Sequence, residues 1–306
     1  MGKQYKEHLS GFNEWDQLKH AEDWILFPEN MGTKLCLDEV ALSEGELYTV
    51  PTNAKSKCQK GSLIAMIKGV KAEDVCKILN QIPEEKRMKV EEISVDMSNS
   101  MEKIARDCFL KASIVTDRFH VAQLICDAVQ EIRIKYRWEA IAQENKEIDE
   151  ARKKKEKYIA LTFENGDTRK QLLARSRYLL FKPSSEWRDS QKRRAEILFR
   201  EYPDTNDAYN LSMMLRNIYE TAKTKLEAMD RFLNWYKKAE EKSFPSFITA
   251  AESIQNHQET ILNFFDNRTT NALAEAFNSK IKAFRSVFRG IRDIDFFLYR
   301  VSLIFA

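Results

Sequence analysis

The sequence predicts an α/β protein in which a mixed β-sheet is interrupted by a large all-helical insertion. Apolar runs of strand type alternate with helical segments between residues 34 and 116, whereas every sizeable segment from about residue 132 to residue 263 has helical character. The 306 residues include only eight Gly and six Pro but 32% charged residues. An all-β protein of this size needs more turn residues, so the composition also favours a helix-rich fold.

The first half of the predicted sheet is an antiparallel meander. Three strand patterns follow one another at residues 34–41, 45–52 and 62–69. Short, turn-prone connections join them, and short connections favour antiparallel neighbours. The first thirty residues carry Trp15, Trp24 and Phe27 among many charges. We expect an amphipathic helix or a tail there, whose aromatic side chains pack either on this chain's own core or on a partner subunit.

The second half of the sheet is predicted to be parallel. A helical pattern at 71–87 precedes a strand at 90–96, and a helix at 98–112 precedes a strand at 113–116. Each helix provides a crossover, so the later strands should run parallel to the first. In such sheets ligands gather beyond the carboxyl ends of parallel strands. Asp38 and Asp96 lie at or near those ends, and they should come close together if their strands are neighbours.

The helical insertion is followed by two helices that should return to the sheet. Its predicted helices are 132–160, 169–181, 187–201, 209–236 and 246–263. A basic amphipathic helix over 271–288 and an apolar helix over 291–305 then complete the core. The predicted organisation is an N-terminal segment at 1–30, a first part of the sheet domain at 31–131, an insertion at 132–262 and a C-terminal part at 263–306.

Charge and cysteine content exclude several classes of protein. The formal net charge is only +3, so a polyanionic partner would have to be bound by local clusters of basic residues. The five cysteines are odd in number and form no C-x-x-C, which argues against a disulfide framework or a Cys-rich zinc site. No run of about 18 apolar residues and no signal-peptide pattern occurs. We therefore expect a reducing cytoplasmic compartment.

Three acidic residues in separate elements predict a divalent-metal site. Asp38 and Asp96 follow apolar strand runs, and Glu275 lies early in the basic helix. Mg²⁺ prefers oxygen ligands in near-octahedral geometry and keeps several waters. Carboxylates that converge from separate elements can hold two such ions, Mg²⁺ or Mn²⁺, around a scissile phosphate. Each acid alone is weak evidence, because an Asp after an apolar strand is often only a turn former or a helix cap.

The basic helix after Glu275 carries a stripe of polar and cationic residues at helical spacing. The stripe consists of Glu275, Asn278, Lys282, Arg285 and Arg289. A carboxylate at one end can hold metal while the cations contact phosphates of the same DNA strand. The alternative is a solvated face interleaved with core residues. Glu275 is the only acid of the stripe, so we favour DNA contact.

Together these residues resemble the DDE transposases of bacterial insertion sequences, whose catalytic core is ribonuclease-H-like. The most distinctive match is Asp117-Arg118-Phe119-His120, which has the D-x-x-H pattern of one branch of the family. Two segments resemble those that carry the family's strand acids, namely Leu35–Glu39 for the first and Val95–Met97 for the second. A third segment, Arg175–Leu180, resembles part of the family's helical insertion. Residues 268–282 resemble the glutamate motif. The resemblance extends over about residues 30–306 and implies a ribonuclease-H-like fold.

The resemblance implies metal-dependent cleavage of transposon-end DNA and transfer of the freed 3′-OH into target DNA. Asp38, Asp96 and Glu275 would be the catalytic metal ligands, with Asp117 as the alternative to Asp96. His120 would orient Asp117 or contact the scissile strand, although it could also merely fix the strand-to-helix junction. The residues expected to contact DNA are Arg268, Asn271, Asn278, Lys282, Arg285 and Arg289.

The chain departs from the family pattern at its start. Family members carry an N-terminal zinc module and helix-turn-helix units, but only about thirty residues precede the first strand here. We therefore expect either a separate DNA-binding subunit or a truncated copy. We also expect a homo-oligomer in the synaptic complex and a nucleoid-associated location in a bacterial cytoplasm. Two other functional hypotheses stay open. The chain could be an inactive DNA-binding or assembly protein derived from a transposase, or a nuclease without strand transfer.

Overall fold

The computed structural model describes residues 4–42, 46–268, 272–287 and 293–306, with the backbone alone for residues 272–275 and 287. The chain divides into two compact units. The sheet unit comprises Met1–His120 and Glu259–Ala306, and the helical unit comprises Val121–Gln258. The chain thus leaves the sheet unit at the start of the insertion and returns to it before the basic helix.

The sheet unit contains a six-stranded mixed sheet with the strand order β1-β4-β3-β2-β5-β6. Its strands are β1 (Trp24–Leu26), β2 (Lys34–Ala41), β3 (Leu47–Asn53), β4 (Ala65–Lys68), β5 (Glu92–Val95) and β6 (Ser113–Thr116). Strands β2, β5 and β6 are parallel to one another, whereas β1, β3 and β4 form the antiparallel part. The predicted ribonuclease-H-like α/β class is confirmed.

The helices are distributed over both units. In chain order they are α1 (Ala72–Leu79), α2 (Glu84–Arg87), α3 (Asn99–Cys108), α4 (Arg118–Lys153), α5 (Arg169–Arg175), α6 (Asp189–Glu201), α7 (Pro203–Thr221), α8 (Lys225–Lys242), α9 (Pro245–Asn256), α10 (Gln258–Leu262), α11 (Phe264–Asn267), α12 (Ala272–Val287) and α13 (Ile294–Phe305). Among the described helices, none is both long and apolar enough to cross a bilayer.

The sheet has an apolar core on each face because alternate residues of its strands point in opposite directions. On one face, Leu35 and Leu37 of β2 pack with buried residues of α1 and α3. On the other face, Val40 packs with Phe277 of α12 and with buried residues of α13. The helix that carries the glutamate motif therefore lies on the opposite face of the sheet from the two crossover helices.

The N-terminal segment differs from the predicted amphipathic helix. It forms short helical turns and then the strand β1, which pairs antiparallel with β4 at the sheet edge. Its aromatic side chains pack on their own unit. Phe27 is buried in the core, the ring of Trp15 lies 5.2 Å from that of Tyr299, and Trp24 stacks on His20. The sequence missed β1 because three residues are too few to show an alternating pattern.

The helical unit is held by aromatic side chains buried between its helices. Trp235 of α8 is fully buried, and its indole nitrogen donates to the Leu211 carbonyl of α7 at 2.9 Å. The single helix expected at 209–236 is two helices, because the chain turns at residues 222–224 and Thr224 caps α8. The helix expected at 132–160 begins earlier, as α4 at Arg118, and ends at Lys153.

Candidate active site

The parallel strands bring three aspartates into one row. Leu37 pairs with Val95, and Val95 pairs with Thr116. The residue that follows each of these three in the sequence is an aspartate. Asp38 lies within β2, Asp96 directly follows β5, and Asp117 directly follows β6. Residues in register on parallel neighbours point to the same face. Asp38 and Asp96 are therefore neighbours across two adjacent strands, although 58 positions separate them in the sequence.

Asp38 is a buried carboxylate that is fixed through both of its oxygens. Only 8% of the surface of this residue is accessible to solvent. Oδ1 accepts the backbone N–H of Glu39 at 2.7 Å, and Oδ2 accepts a hydrogen bond from Nδ2 of Asn278. Burial, together with the nearby charge of Asp96, raises the pKa of Asp38 to about 6. This acid is consequently held in one orientation and is costly to ionise without a cation nearby.

His120 is paired with Asp96. Its Nε2 lies 2.7 Å from Oδ1 of Asp96. This hydrogen bond, opposed by burial but aided by the negative charges of Asp96, Asp117 and Asp38, raises the pKa of His120 above its ordinary value. The raised pKa favours the imidazolium form, which places a positive charge beside the row of acids. The D-x-x-H histidine thus contacts the aspartate of the neighbouring strand.

Asp117 has a structural contact of its own. It is almost fully buried, and Oδ1 accepts the backbone N–H of Phe119 at 3.2 Å. That hydrogen bond caps the first turn of α4, where backbone N–H groups lack partners within the helix. Asp96 differs because it follows β5, the strand between β2 and β6, and its Oδ1 contacts the imidazole of His120.

Helix α12 is rotated so that Asn278 faces the acids. Phe277 and Ile281 are buried in the core below the helix, and this fixes its rotation about its axis. Asn278 then reaches Asp38 as well as the carbonyl of Glu39, the latter at 3.4 Å. Glu275 lies three residues earlier in α12, close to one helical turn away. Its side chain lies outside the described residues.

The other residues predicted to contact DNA are placed differently from one another. Lys282 is exposed on α12, whereas the guanidinium of Arg285 lies 5.1 Å from the ring centre of Phe297. Arg268 is exposed just after α11 in a left-handed conformation, with φ of 51°. Asn271 and Arg289 lie outside the described residues. The described residues of the predicted stripe thus have three different environments: Asn278 contacts Asp38, Arg285 lies over Phe297, and Lys282 is exposed to solvent.

A polar network beside β6 was not predicted from the sequence. The hydroxyl of Thr116 lies 2.7 Å from that of Thr260 on α10, and the Thr260 hydroxyl donates to Glu102 of α3 at 2.9 Å. One turn further on, Asn263 donates to the Ile114 carbonyl at 2.8 Å. These contacts hold the segment that leads into the glutamate motif against β6, the strand that Asp117 directly follows. Isolated Thr and Asn residues in a helical pattern give no signal for such pairing.

The donor set fits a divalent cation. Asp38 and Asp96 provide carboxylate oxygens at neighbouring strand positions, and hard oxygen ligands of this kind are those Mg²⁺ prefers. Burial and, after it, the charge of Asp96 raise the pKa of Asp38, and a bound cation would offset both effects. The described side chains contain no group of three His, Cys, Asp or Glu residues arranged around one metal position. Glu275 is not among those side chains.

Comparison with known proteins identifies the family. The family model for ISL3-type DDE transposases, described as "Transposase", matches residues 35–301. The chain belongs to this transposase family. Neither the curated proteins nor the solved structures contain a match to it. The matched region begins within β2 and ends within α13, so it includes the row of aspartates and the helix of Glu275. This transposase therefore acts in DNA transposition, as the sequence predicted.

Proposed function

We propose that this transposase cleaves transposon-end DNA and transfers the resulting 3′-OH into target DNA, using divalent metal ions. The supporting observation is the position of Asp38 and Asp96 on adjacent parallel strands, with helix α12 attached to Asp38 through Asn278. Such an arrangement allows carboxylates from three elements to converge on one phosphate. It agrees with the membership of the chain in the DDE transposase family.

Asp38, Asp96 and Glu275 are the residues that would hold Mg²⁺ or Mn²⁺. When bound, the metal would lower the pKa of the attacking water or 3′-OH and neutralise the leaving oxygen. Asp38 remains able to bind while it accepts its two hydrogen bonds, because each carboxylate oxygen has a second lone pair. The fixed orientation of this carboxylate removes part of the entropic cost of assembling the site.

Asn278 and His120 would position the two aspartates. The Asn278 amide holds Oδ2 of Asp38, and the His120 imidazole holds Oδ1 of Asp96. Each donor supports the ionised form of its acid, which is the form that binds metal. We assign the second ligand role to Asp96 rather than Asp117 because Asp96 is next to Asp38, whereas one oxygen of Asp117 caps helix α4.

Cleavage of a duplex that carries the parent element's terminal repeat tests this proposal. In Mg²⁺ or Mn²⁺ the wild type should cleave at the transposon end and join the 3′ end to target DNA. Asp38→Asn, Asp96→Asn and Glu275→Gln should each lose both steps, whereas Glu73→Gln, a change of an exposed acid on α1, should retain them. Loss in Asp117→Asn with activity kept in Asp96→Asn would instead make Asp117 the second ligand.

The same experiment separates the other functions. Cleavage without joining, under conditions that supply target DNA, would identify a nuclease. Binding of the end duplex without cleavage in either metal, by wild type and by the three acid variants alike, would identify an inactive binding or assembly protein. Circular dichroism of each variant confirms that a loss of activity does not come from unfolding.

A further inference from the structure

The loop between β3 and β4, residues 54–61, is a lysine-rich surface segment; we call it the lysine loop. Lys55, Lys57 and Lys60 are all exposed on it. The loop is short and well held. Asn53 caps its first turn by accepting the N–H of Lys55 at 3.0 Å, and the Ser56 hydroxyl donates to the Gly61 carbonyl at 2.9 Å. Its lysines thus extend from a fixed backbone.

The lysine loop is joined to the helix of the glutamate motif. Nζ of Lys280 on α12 donates to the Cys58 carbonyl of the loop at 2.9 Å. The exposed side chain of Lys282 lies on the same helix. Residues 54–61 and 276–286 together contain six Lys and Arg residues and no Asp or Glu. The loop and the outer part of α12 therefore form one region of strongly positive charge.

The charge of the lysine loop is not balanced by ion pairs within the described chain. Lys55, Lys57 and Lys60 have no carboxylate within 4.0 Å among the described residues. Some exposed lysines elsewhere do have such partners, for example Lys77 with Asp74 and Lys242 with Asp207. Clustered cations without neighbouring acids repel one another, and an external polyanion relieves that repulsion.

The register of the sheet places the lysine loop a short distance from the catalytic acids. Asp38 pairs with Val50, and Leu35 pairs with Asn53, the residue directly before the loop. These pairs are three residues apart along β2, which corresponds to roughly 10 Å at about 3.3 Å per residue. One DNA strand carries a phosphate about every 3.4 Å along the helix axis, so this span corresponds to about three nucleotides of a duplex whose axis runs along β2.

We propose that the lysine loop binds phosphates of the DNA strand about three nucleotides from the scissile phosphate. The proposal rests on the assignment of the acids as the cleavage site. One helix contacts both the acids and the loop, because Asn278 of α12 contacts Asp38 and Lys280 contacts the Cys58 carbonyl. DNA fits better than a protein partner. Lysine is a phosphate ligand that reads no sequence, and it is depleted in the buried centres of protein interfaces.

Salt-dependent DNA binding tests the proposal. Both the reference protein and its variants carry Asp38→Asn, and EDTA is present, so that no cleavage interferes. Replacing Lys55, Lys57 and Lys60 by Gln should weaken binding of a 30-base-pair duplex on the order of tenfold to a hundredfold near physiological salt. The plot of log K against log[salt] should become shallower by about 0.9 per lost phosphate contact, thus two to three units. The loss should be equal for terminal-repeat and scrambled duplexes.

A matched triple variant controls for the change in net charge. Lys71, Lys103 and Lys111 are exposed lysines of the same unit, at the crossover helices α1 and α3 and the start of β6. Replacing these three by Gln should leave the salt slope within half a unit of the reference. Replacing the loop lysines by Arg should restore binding. An unchanged slope in the loop variant, or an equal loss in the control variant, would overturn the proposal.

The position of the contact is tested with neutral phosphates. Methylphosphonates placed two to five nucleotides from the cleavage point should weaken binding of the reference protein but not of the loop variant. Equal weakening of both proteins would show that the loop does not contact the phosphates at this position. A chain that binds DNA through the loop but never cleaves would leave the salt result intact and refute only the catalytic function. The two proposals therefore fail in distinguishable ways.

Discussion

At the scale of single residues, Asp38 shows how the site stores unfavourable electrostatic energy. Burial and the charge of Asp96 both act against its ionisation, while two hydrogen bonds favour it. The net result is a pKa of about 6 against an ordinary value of 3.8. A carboxylate in such a position lowers the stability of the folded protein at neutral pH. Under the proposed function, a bound metal ion would offset this cost.

We predict that Asp38→Asn stabilises the metal-free protein at neutral pH. A raised carboxyl pKa means that the folded state binds more protons than the unfolded state between about pH 4 and pH 6. The free energy of unfolding should therefore fall as pH rises through that window. Asp38→Asn should remove this part of the pH dependence and gain roughly 1–3 kcal/mol at pH 7. Urea unfolding at pH 4 and pH 7 measures the effect.

The control for this prediction is Glu73→Gln, which removes an exposed carboxylate far from Asp38 in the sequence. It should leave the pH dependence of wild type unchanged. Saturating Mg²⁺ should stabilise the wild type by binding the folded state, and it should stabilise Asp38→Asn less. A wild type whose stability rises between pH 4 and pH 6 while Asp38→Asn follows the same curve would contradict the assignment.

We further predict that the pKa of His120 depends on Asp96. In the metal-free protein the imidazole should titrate above its ordinary value of 6.5, because its largest stabilising contact is the hydrogen bond to Asp96. Asp96→Asn should lower this pKa toward or below 6.5. The stability that the pair contributes is present in acid and is lost as pH rises through the raised pKa.

NMR titration of the imidazole resonances measures this shift. The chain has four histidines, and the spectrum of His120→Gln assigns the resonance of interest. Asp117→Asn serves as the comparison, because Asp117 acts on His120 only through its charge and should cause a smaller change. An equal or larger change in Asp117→Asn would transfer the partner role to Asp117.

At the scale of elements, the sequence was most informative where apolar runs are long. The bounds of β2 and β6 were predicted to the residue, and so was the position of Asp117 directly after β6. The partner of His120 could not be predicted, because it depends on the register between β5 and β6. The direction of Asn278 depends on how deeply Phe277 and Ile281 are buried. Neither quantity is a property of a local segment.

The cations of helix α12 should separate into two classes when mutated. Lys282 is exposed, so Lys282→Gln should weaken DNA binding uniformly across sequences and reduce the salt slope by about 0.9. Arg285 lies over Phe297, so Arg285→Gln should also lower the free energy of unfolding, by about 0.5–2 kcal/mol. Anisotropy titrations in 50–300 mM salt and urea unfolding distinguish the two. Equal effects of both variants on stability would contradict the separation.

At the scale of the whole molecule, the two units are stabilised by different means. The sheet unit has extensive apolar cores on both faces of its sheet. The helical unit also contains a fully buried acid, Asp167, whose oxygens accept hydrogen bonds from Arg175 and Arg194, the latter at 2.8 Å. The residues Asn165-Gly166-Asp167 lie between the predicted helices 132–160 and 169–181, and their types predict only a turn there. Its role as a buried ionic centre depends on arginines 8 and 27 residues away.

The last prediction is that Asp167→Asn destabilises the helical unit and removes part of its acid sensitivity. Burial alone would raise the pKa of Asp167, but the hydrogen bonds and charges of Arg194 and Arg175 outweigh it and lower the pKa. The stability from this group is therefore present above its unfolded pKa and is lost as pH falls through the folded pKa. Removing the charge should cost roughly 2–4 kcal/mol, because Arg194 keeps a mostly buried charge without its counter-ion.

Asp149→Asn, which breaks an exposed pair with Arg152, should cost less than about 1 kcal/mol. Hydrogen exchange followed by mass spectrometry should show faster exchange in α5 and α6 of Asp167→Asn and unchanged exchange in β2 and β5. Equal acceleration in both units, or none in α5 and α6, would show that the buried ionic centre does not stabilise the helical unit on its own.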